Sequence, residues 1–243
     1  MQVLYDLSMH LRDGEVVCMI GPNGAGKSTV LKAVFGLLGA WSGRVNLHGT
    51  EITGLAPEDV VREGVGYVPQ VDNVFGTLSV EENLRMGGVS VGGGLGSTIG
   101  RLSGQIPMLA GSAGGDRSVS ATIEELYDRF PMLAEKRGDK ARTLSGGQQQ
   151  ILAFARALMT DPDVLLIDEP SAGLAPNTAA DVFDRVRRVN EAGTAILMVE
   201  QNARAGLDIS DRGYVLDQGT VRFEGAADEL LENPEVAELY LGG

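Results

Sequence analysis

The sequence predicts an α/β fold built on a partly parallel sheet. Short apolar runs rich in β-branched residues, VVCMI (16–20), VLLID (164–168) and TAILMV (194–199), have the length of buried strands rather than of helices. Between them lie segments with apolar residues at helical spacing. Near the C-terminus, GYVLDQGTVRFEG carries Asp217-Gln218-Gly219 between two alternating runs, the mark of a hairpin that adds an antiparallel strand.

Taken in order, VVCMI is a strand that runs straight into a glycine-rich loop. A helix then starts near Lys27 or Ser28, with Val30, Leu31, Val34, Leu37 and Leu38 on one face. RVNLHG and GVGYVPQ read as two more short strands. SVEENLRM places Ser79 three residues before Glu82, a capping-box pattern that starts a helix. Residues 87–120 are rich in Gly and Ser, a composition that cannot bury a core, and predict a flexible insertion. Helical spacing returns in SATIEELYDRFPMLAEKR and again in QQQILAFARALM. TAADVFDRVRRVNEAG is a helix with Val182, Phe183, Val186 and Val189 facing inward and Gly193 as its stop. AADELLENPEVAELYL closes the chain as helix.

Composition narrows the function. A net charge of −13 over 243 residues argues against free DNA or RNA as the main partner, since phosphate backbones are held by clustered Lys and Arg. The single cysteine, Cys18, sits inside VVCMI and reads as a buried thiol. The polar N-terminus carries no signal-peptide pattern, and no apolar run approaches the roughly 18 residues of a membrane span. The expected location is the cytoplasm, with any membrane association made through partners. His10 and His48 have no metal-ligand spacing around them, and Trp41 reads as packing near a turn.

The chemistry is carried by three stretches. GPNGAGKST (21–29) fits G-x-x-x-x-G-K-[ST] between a strand and a helix. Its candidate phosphate-binding residues are Gly21, Asn23, Gly24, Gly26, Lys27, Ser28 and Thr29. Glycines let several N–H groups face one point, and the helix N-terminus adds positive potential there. Lys27 reaches the β- and γ-phosphates, and the Ser28 hydroxyl suits Mg²⁺. VLLIDEP adds Asp168 as a Mg²⁺ holder and Glu169 as general base on an attacking water. Gln70, at the carboxyl end of GVGYVP, is placed to touch metal and water. The third stretch, TLSGGQQQ (143–150), puts Ser145, Gly146, Gly147 and Gln148 at a second helix start suited to an anion. LSGQ (102–105) is a shortened chance copy with no amphipathic helix behind it. With one complete phosphate loop in the chain, the second anion-binding end needs a phosphate held by another copy, arranged head to tail.

With GPNGAGKST, LSGGQ and LLIDEP in this order, the chain resembles the ATP-binding subunits of ABC transporters over nearly its whole length. The resemblance implies ATP and Mg²⁺ as ligands and a RecA-like P-loop NTPase core with an antiparallel β portion, spanning 1–78 and 144–243. It implies an inserted α-helical subdomain at 79–143, Walker B at 164–169, and Gln70 as the glutamine near which membrane subunits dock. DEPSAGLAP (168–176), MVEQNA (198–203), DRGYVLDQG (211–219), VEENLRMGG (80–88) and the terminal YLGG are similar to the ATP-binding subunits of branched-chain amino acid importers. The partners implied are two transmembrane permease subunits, a second ATP-binding subunit (identical or different) and, indirectly, an extracellular amino acid-binding protein. The chain then sits on the inner face of the membrane. The alternative, a non-transport ABC ATPase acting in translation or DNA repair, would show paired ATPase domains, coiled coils or basic surfaces, which this chain does not.

Two departures stand out. Most ABC ATPases place a histidine where Glu200-Gln201-Asn202 puts Gln201, and glutamine cannot become cationic. Hydrolysis is expected to survive on Glu169, with Gln201 as a γ-phosphate contact. The family also carries an aromatic residue about twenty or more positions before the phosphate loop that stacks on adenine. Met1 is only twenty residues before Gly21, and Tyr5 lies close to the loop. Either the chain begins late, leaving a sheet edge unpaired, or adenine lacks its usual platform; the expectation is weak discrimination between ATP and GTP.

Overall fold

The computed structural model describes residues 2–40, 42–71, 73–89 and 115–240. Trp41, the end of YLGG and most of the Gly/Ser-rich 87–120 segment, including LSGQ at 102–105, lie outside the described residues. In chain order the elements are β1 (Val16–Ile20), α1 (Lys27–Val34), β2 (Asn46–Leu47), β3 (Thr50–Glu51), α2 (Pro57–Arg62), β4 (Val65–Val68), α3 (Val80–Val89), α4 (Gly115–Arg129), α5 (Pro131–Glu135), α6 (Gly146–Leu158), β5 (Val164–Asp168), α7 (Pro176–Glu191), β6 (Ala195–Val199), α8 (Ala203–Leu207), β7 (Arg212–Asp217), β8 (Thr220–Ala226), α9 (Ala227–Glu232) and α10 (Pro234–Tyr240). They divide into two compact units, Met1–Gln70 with Asp163–Gly243, and Val71–Pro162. The second unit therefore includes α6 as well as α3, α4 and α5.

The first unit is a six-stranded sheet in the order β4-β5-β6-β1-β7-β8. Strands β4 to β7 pair in parallel, with Val17 opposite both Leu197 of β6 and Arg212 of β7. β8 alone is antiparallel. The run VVCMI is apolar at every position because every position is buried. β8 instead carries the more exposed residues of an edge strand. Val17, Met19, Leu31, Leu166, Leu197 and Tyr214 belong to one buried cluster that fixes the strand ends carrying the site. On α7 the predicted stripe Val182, Phe183, Val186 and Val189 is buried, and Gly193 follows in left-handed backbone.

The β7–β8 hairpin turns through Gln218 and Gly219, both at positive φ (46° and 81°), which is the two-residue turn whose twist matches its strands. The Gly219 N–H donates to the Ala25 carbonyl of the phosphate loop at 2.9 Å, and its carbonyl accepts from the Tyr5 N–H at 2.9 Å. A Cβ at this position would lie 1.9 Å from the Val3 carbonyl oxygen. Gly219→Ala is therefore expected to cost more than the roughly 1–2 kcal/mol of left-handed strain alone. Urea unfolding of the variant beside the wild type measures it.

Several boundaries differ from the sequence reading. The helix after the phosphate loop stops at Val34, and Gly36 leaves it at φ 78°, so Leu37 and Leu38 are off the helix and exposed. RVNLHG contributes only two strand residues, which pair with the unanticipated β3 around His48-Gly49. SATIEELYDRFPMLAEKR is two helices, because proline at 131 cannot continue α4. The C-terminal helix is likewise split at Pro234, where the Asn233 side chain accepts from the N–H groups of Glu235 and Val236.

In the second unit, the predicted capping box is present. The Ser79 hydroxyl accepts from the Glu82 N–H at 3.1 Å, and the Glu82 carboxylate accepts from the Ser79 N–H at 2.6 Å. α3 packs on α6 through Gly87, where a Cβ would come within 2.5 Å of the Arg156 carbonyl oxygen. Buried Leu84, Leu126, Leu133, Leu152 and Phe154 form its interior.

Candidate functional site

The phosphate-loop residues, Gln70, Asp168, Glu169 and Gln201 belong to the first unit; Ser145, Gly146, Gly147 and Gln148 belong to the second. At the end of β1 the chain turns at Gly21, φ 147°, where a Cβ would sit 2.0 Å from the Leu216 carbonyl oxygen. No side chain fits between that turn and β7. Asn23 and Gly24 stand exposed on the loop, and Gly26 leads into α1. The first N–H groups of a helix have no intrahelical acceptor, so Lys27, Ser28 and Thr29 begin α1 with donors free for an anion.

Lys27 is only 5% exposed. Its ammonium donates to the carbonyls of Gly21 (2.8 Å) and Pro22 (3.2 Å). Burial lowers its pKa, and the nearby carboxylates of Glu169, Asp168 and Glu200 oppose that shift. The Ser28 hydroxyl donates to one oxygen of buried Asp168 at 2.7 Å. Tyr67, on β4, donates its hydroxyl to the other oxygen at 3.3 Å. Burial, then the Asp168 charge, push the Tyr67 phenol upward, so it remains a donor.

Glu169 follows β5 in left-handed backbone, φ 47°, with its N–H donating to the Val199 carbonyl at 2.9 Å. A non-glycine residue there stores of the order of 1–3 kcal/mol of strain, a common mark of functional positions. Gln70 donates its side-chain amide to the Glu169 carboxylate at 2.7 Å. Burial raises the Glu169 pKa; Lys27 lowers it, and Asp168 and Glu200 raise it. Gln201 is exposed at the end of β6, its N–H donating to Glu200. The structure thus joins Ser28 to Asp168 and Gln70 to Glu169 by direct hydrogen bonds. An arrangement of donors for phosphate beside a hindered carboxylate of raised pKa is suited to activating water next to a bound phosphoryl group.

The three glutamines of TLSGGQQQ do three different things. Ser145 is the N-cap of α6 and forms a capping box with Gln148, whose side chain accepts from the Ser145 N–H at 3.0 Å. Gln149 donates to the carbonyls of Ala141 and Leu144. Gln150 is buried and accepts from the Asn73 amide at 2.6 Å. The Gly146 and Gly147 N–H groups start the helix, as the sequence reading placed them.

Sequence reasoning missed Tyr67 and Glu200 as parts of the site. Tyr67 is one aromatic residue in an alternating strand, which gives no signal of its partner a hundred residues later. Glu200 had a signal that was passed over: an acid directly after five buried apolar residues.

Comparison with known proteins bears on this arrangement. The family described as ABC transporter matches residues 4–172. The high-affinity branched-chain amino acid transport ATP-binding protein BraG of Pseudomonas aeruginosa is 38% identical, covering 100% of this chain and 94% of its own. A probable branched-chain amino acid transport ATP-binding protein, LivF of Archaeoglobus fulgidus, is 39% identical, covering 100% and 93%. The lipopolysaccharide export system ATP-binding protein LptB of Escherichia coli is 30% identical, covering 99% and 91%. Among solved structures, a nucleotide-free ATP-binding cassette from an ABC transporter superposes with a TM-score of 0.80 at 31% identity, covering 99% of this chain and 93% of that one. A phosphate loop, an acid pair at the end of β5 and a capped Ser-Gly-Gly helix start, on a chain that such relatives match over its full length, mean that this protein belongs to the ABC transporter family, as one of its ATPase subunits.

Proposed function

We propose that this chain is the ATP-binding and hydrolysing subunit of an importer for branched-chain or related amino acids. It would act with two transmembrane permease subunits and a second ATP-binding subunit, the amino acid being delivered by an extracellular binding protein. The observation that carries hydrolysis is Glu169: a carboxylate in strained backbone beside the phosphate loop, its pKa raised and its side chain held by Gln70. In this reading Lys27 exchanges its two carbonyl acceptors for β- and γ-phosphate oxygens. Glu169 takes a proton from the attacking water, and Gln70 orients both. Ser28 and Asp168 present adjoining oxygens, the ligand set that suits Mg²⁺, and Gln70, bonded to the neighbouring Glu169, would add its amide oxygen. When bound there, the ion supplies positive charge to the phosphate oxygens.

The helix start at Ser145, Gly146 and Gly147 would receive the γ-phosphate held by a second ATP-binding subunit, so that closure of a head-to-tail pair completes each site. The transported solute is supported by the likeness to BraG and LivF. Among the described residues no helix is long and apolar enough to cross a membrane, so the reading requires partners that do.

The test is a pull-down with the Glu169→Gln chain and ATP from detergent-solubilised native membranes, with mass spectrometry of the captured proteins, followed by uptake assays. Two multi-spanning proteins whose loss abolishes leucine, isoleucine or valine uptake support the proposal. Partners of a lipopolysaccharide export system, or no membrane protein at all, overturn it. A smaller effect is expected at Gln201. Its exposed side-chain amide offers one hydrogen bond to an ionised γ-phosphate oxygen, worth about 1.5–3 kcal/mol, so Gln201→Ala should slow ATP turnover by roughly 10- to 150-fold. Steady-state phosphate release measures it.

A further inference from the structure

Glu200 is 1% exposed, and the proposed chemistry gives it no task. One carboxylate oxygen accepts from the Ser171 N–H at 3.0 Å. The other accepts from the Gln201 N–H at 2.8 Å and the Asn202 N–H at 3.0 Å. Ser171 lies two residues beyond Glu169, on the loop that leaves β5, whereas Gln201 and Asn202 lie on the loop that leaves β6. A single side chain therefore spans two loops from neighbouring strands.

The root of the bridge is fixed. The Glu200 N–H donates to the Met19 carbonyl of β1 at 3.1 Å, and the Glu169 N–H donates to Val199, the residue before Glu200. The pocket is tight: a Cβ on Gly206 would come within 3.0 Å of the Glu200 Cβ and 2.7 Å of the Cys18 sulfur. A carboxylate removed from water is tolerated when N–H groups fill its lone pairs, and three fill these. Asn202 adds to the hold, because its side chain caps α8 by accepting from the Ala205 N–H at 3.2 Å. Nothing but a carboxylate offers acceptors in both directions at this spot.

We propose that Glu200 is a positioning residue for the hydrolytic centre. It ties the loop that carries Glu169 to the loop that carries Gln201, so that base and γ-phosphate contact keep one spacing. This rests on the hydrolytic reading of the site and adds to it a residue that touches no substrate. Glutamine at 200 keeps the shape but has one acceptor oxygen. Its NH₂ must face the N–H of one loop, donor against donor, and the bridge opens on that side.

Glu200→Gln in the full chain is expected to lower kcat ten- to a hundredfold while the dissociation constant for a fluorescent ATP analogue stays within threefold. Hydrogen exchange should rise together in peptides covering 169–173 and 200–203. Glu200→Asp, which keeps the charge and shortens the reach, should give the same pattern and serves if the glutamine variant fails to fold. Turnover within threefold of wild type overturns the proposal. So does a loss of nucleotide affinity in step with kcat, or faster exchange confined to one of the two loops. If the wild-type chain releases no phosphate from ATP even when assembled with its second ATP-binding subunit, the hydrolytic reading fails, and the exchange measurement still decides whether Glu200 bridges the loops.

Discussion

Replacing Glu169 by glutamine is expected to reduce ATP turnover by roughly 10²–10⁴-fold, the range of a lost general base, while nucleotide still binds. The side chain keeps its size and its contact with Gln70, because an amide oxygen accepts that bond as a carboxylate oxygen does. What disappears is the ability to take a proton. The pH dependence follows with a definite sign. Burial holds the folded-state pKa of Glu169 above the ordinary carboxylate value of 4.5. As pH falls through that raised value the base protonates and kcat/KM drops, so the acid limb of the wild-type profile lies above the usual carboxylate range. The residual rate of the glutamine variant should lack that limb. Phosphate release measured across pH, with nucleotide binding measured in parallel, checks both statements. A variant that turns over within a few fold of wild type would remove Glu169 from the mechanism.

Lys27→Ala is expected to act on binding as well as turnover. Lys27 is buried and close to three carboxylates, and it holds its ammonium against two loop carbonyls. Burial lowers its pKa, but Glu169, Asp168 and Glu200 pull the other way and favour the charged form. Alanine removes the cation from that negative cluster and removes the group proposed to reach phosphate. Two charge-assisted hydrogen bonds at about 1.5–3 kcal/mol each correspond to a loss of ATP affinity of at least about a hundredfold. Hydrolysis should fall below detection. Titration calorimetry with ATP separates this from Glu169→Gln, which is expected to bind ATP and turn it over slowly. Tight ATP binding by the alanine chain would show that the loop's N–H groups suffice without Lys27.

The strands were legible wherever both faces are buried, because a run such as VVCMI leaves no polar position to misread. The α7 stripe and the Ser79 capping box were legible for a related reason: each is a local pattern with a local cause. Boundaries failed where one residue ends an element against the apolar spacing, as Gly36 does after α1 and Pro234 does between α9 and α10. In the site, the residues proposed to touch phosphate sit in contiguous motifs, and the structure gathers those of the phosphate loop at one strand end. Residues that hold those motifs in place could not be read off. Tyr67 meets Asp168 across 101 positions, and Glu200 meets Ser171 across 29. Those contacts exist only once β4, β5 and β6 lie side by side.

The capping box at Ser145 has a consequence for which substitutions its helix can accept. Glutamate closes such a box as well as glutamine does, and by itself would favour the helix more, since a negative charge complements the N-terminal dipole. At position 148 that gain would be self-defeating. An ionised side chain fixed to the Ser145 N–H would spend the positive end of α6 on the protein's own charge and repel an incoming anion. The neutral amide closes the turn and leaves the field outside it unspent. If α6 receives a γ-phosphate as proposed, helix stability and anion reception compete at one residue, and glutamine is the compromise. Gln148→Glu should accordingly yield a chain at least as resistant to heat as the parent and poorer at closing on ATP.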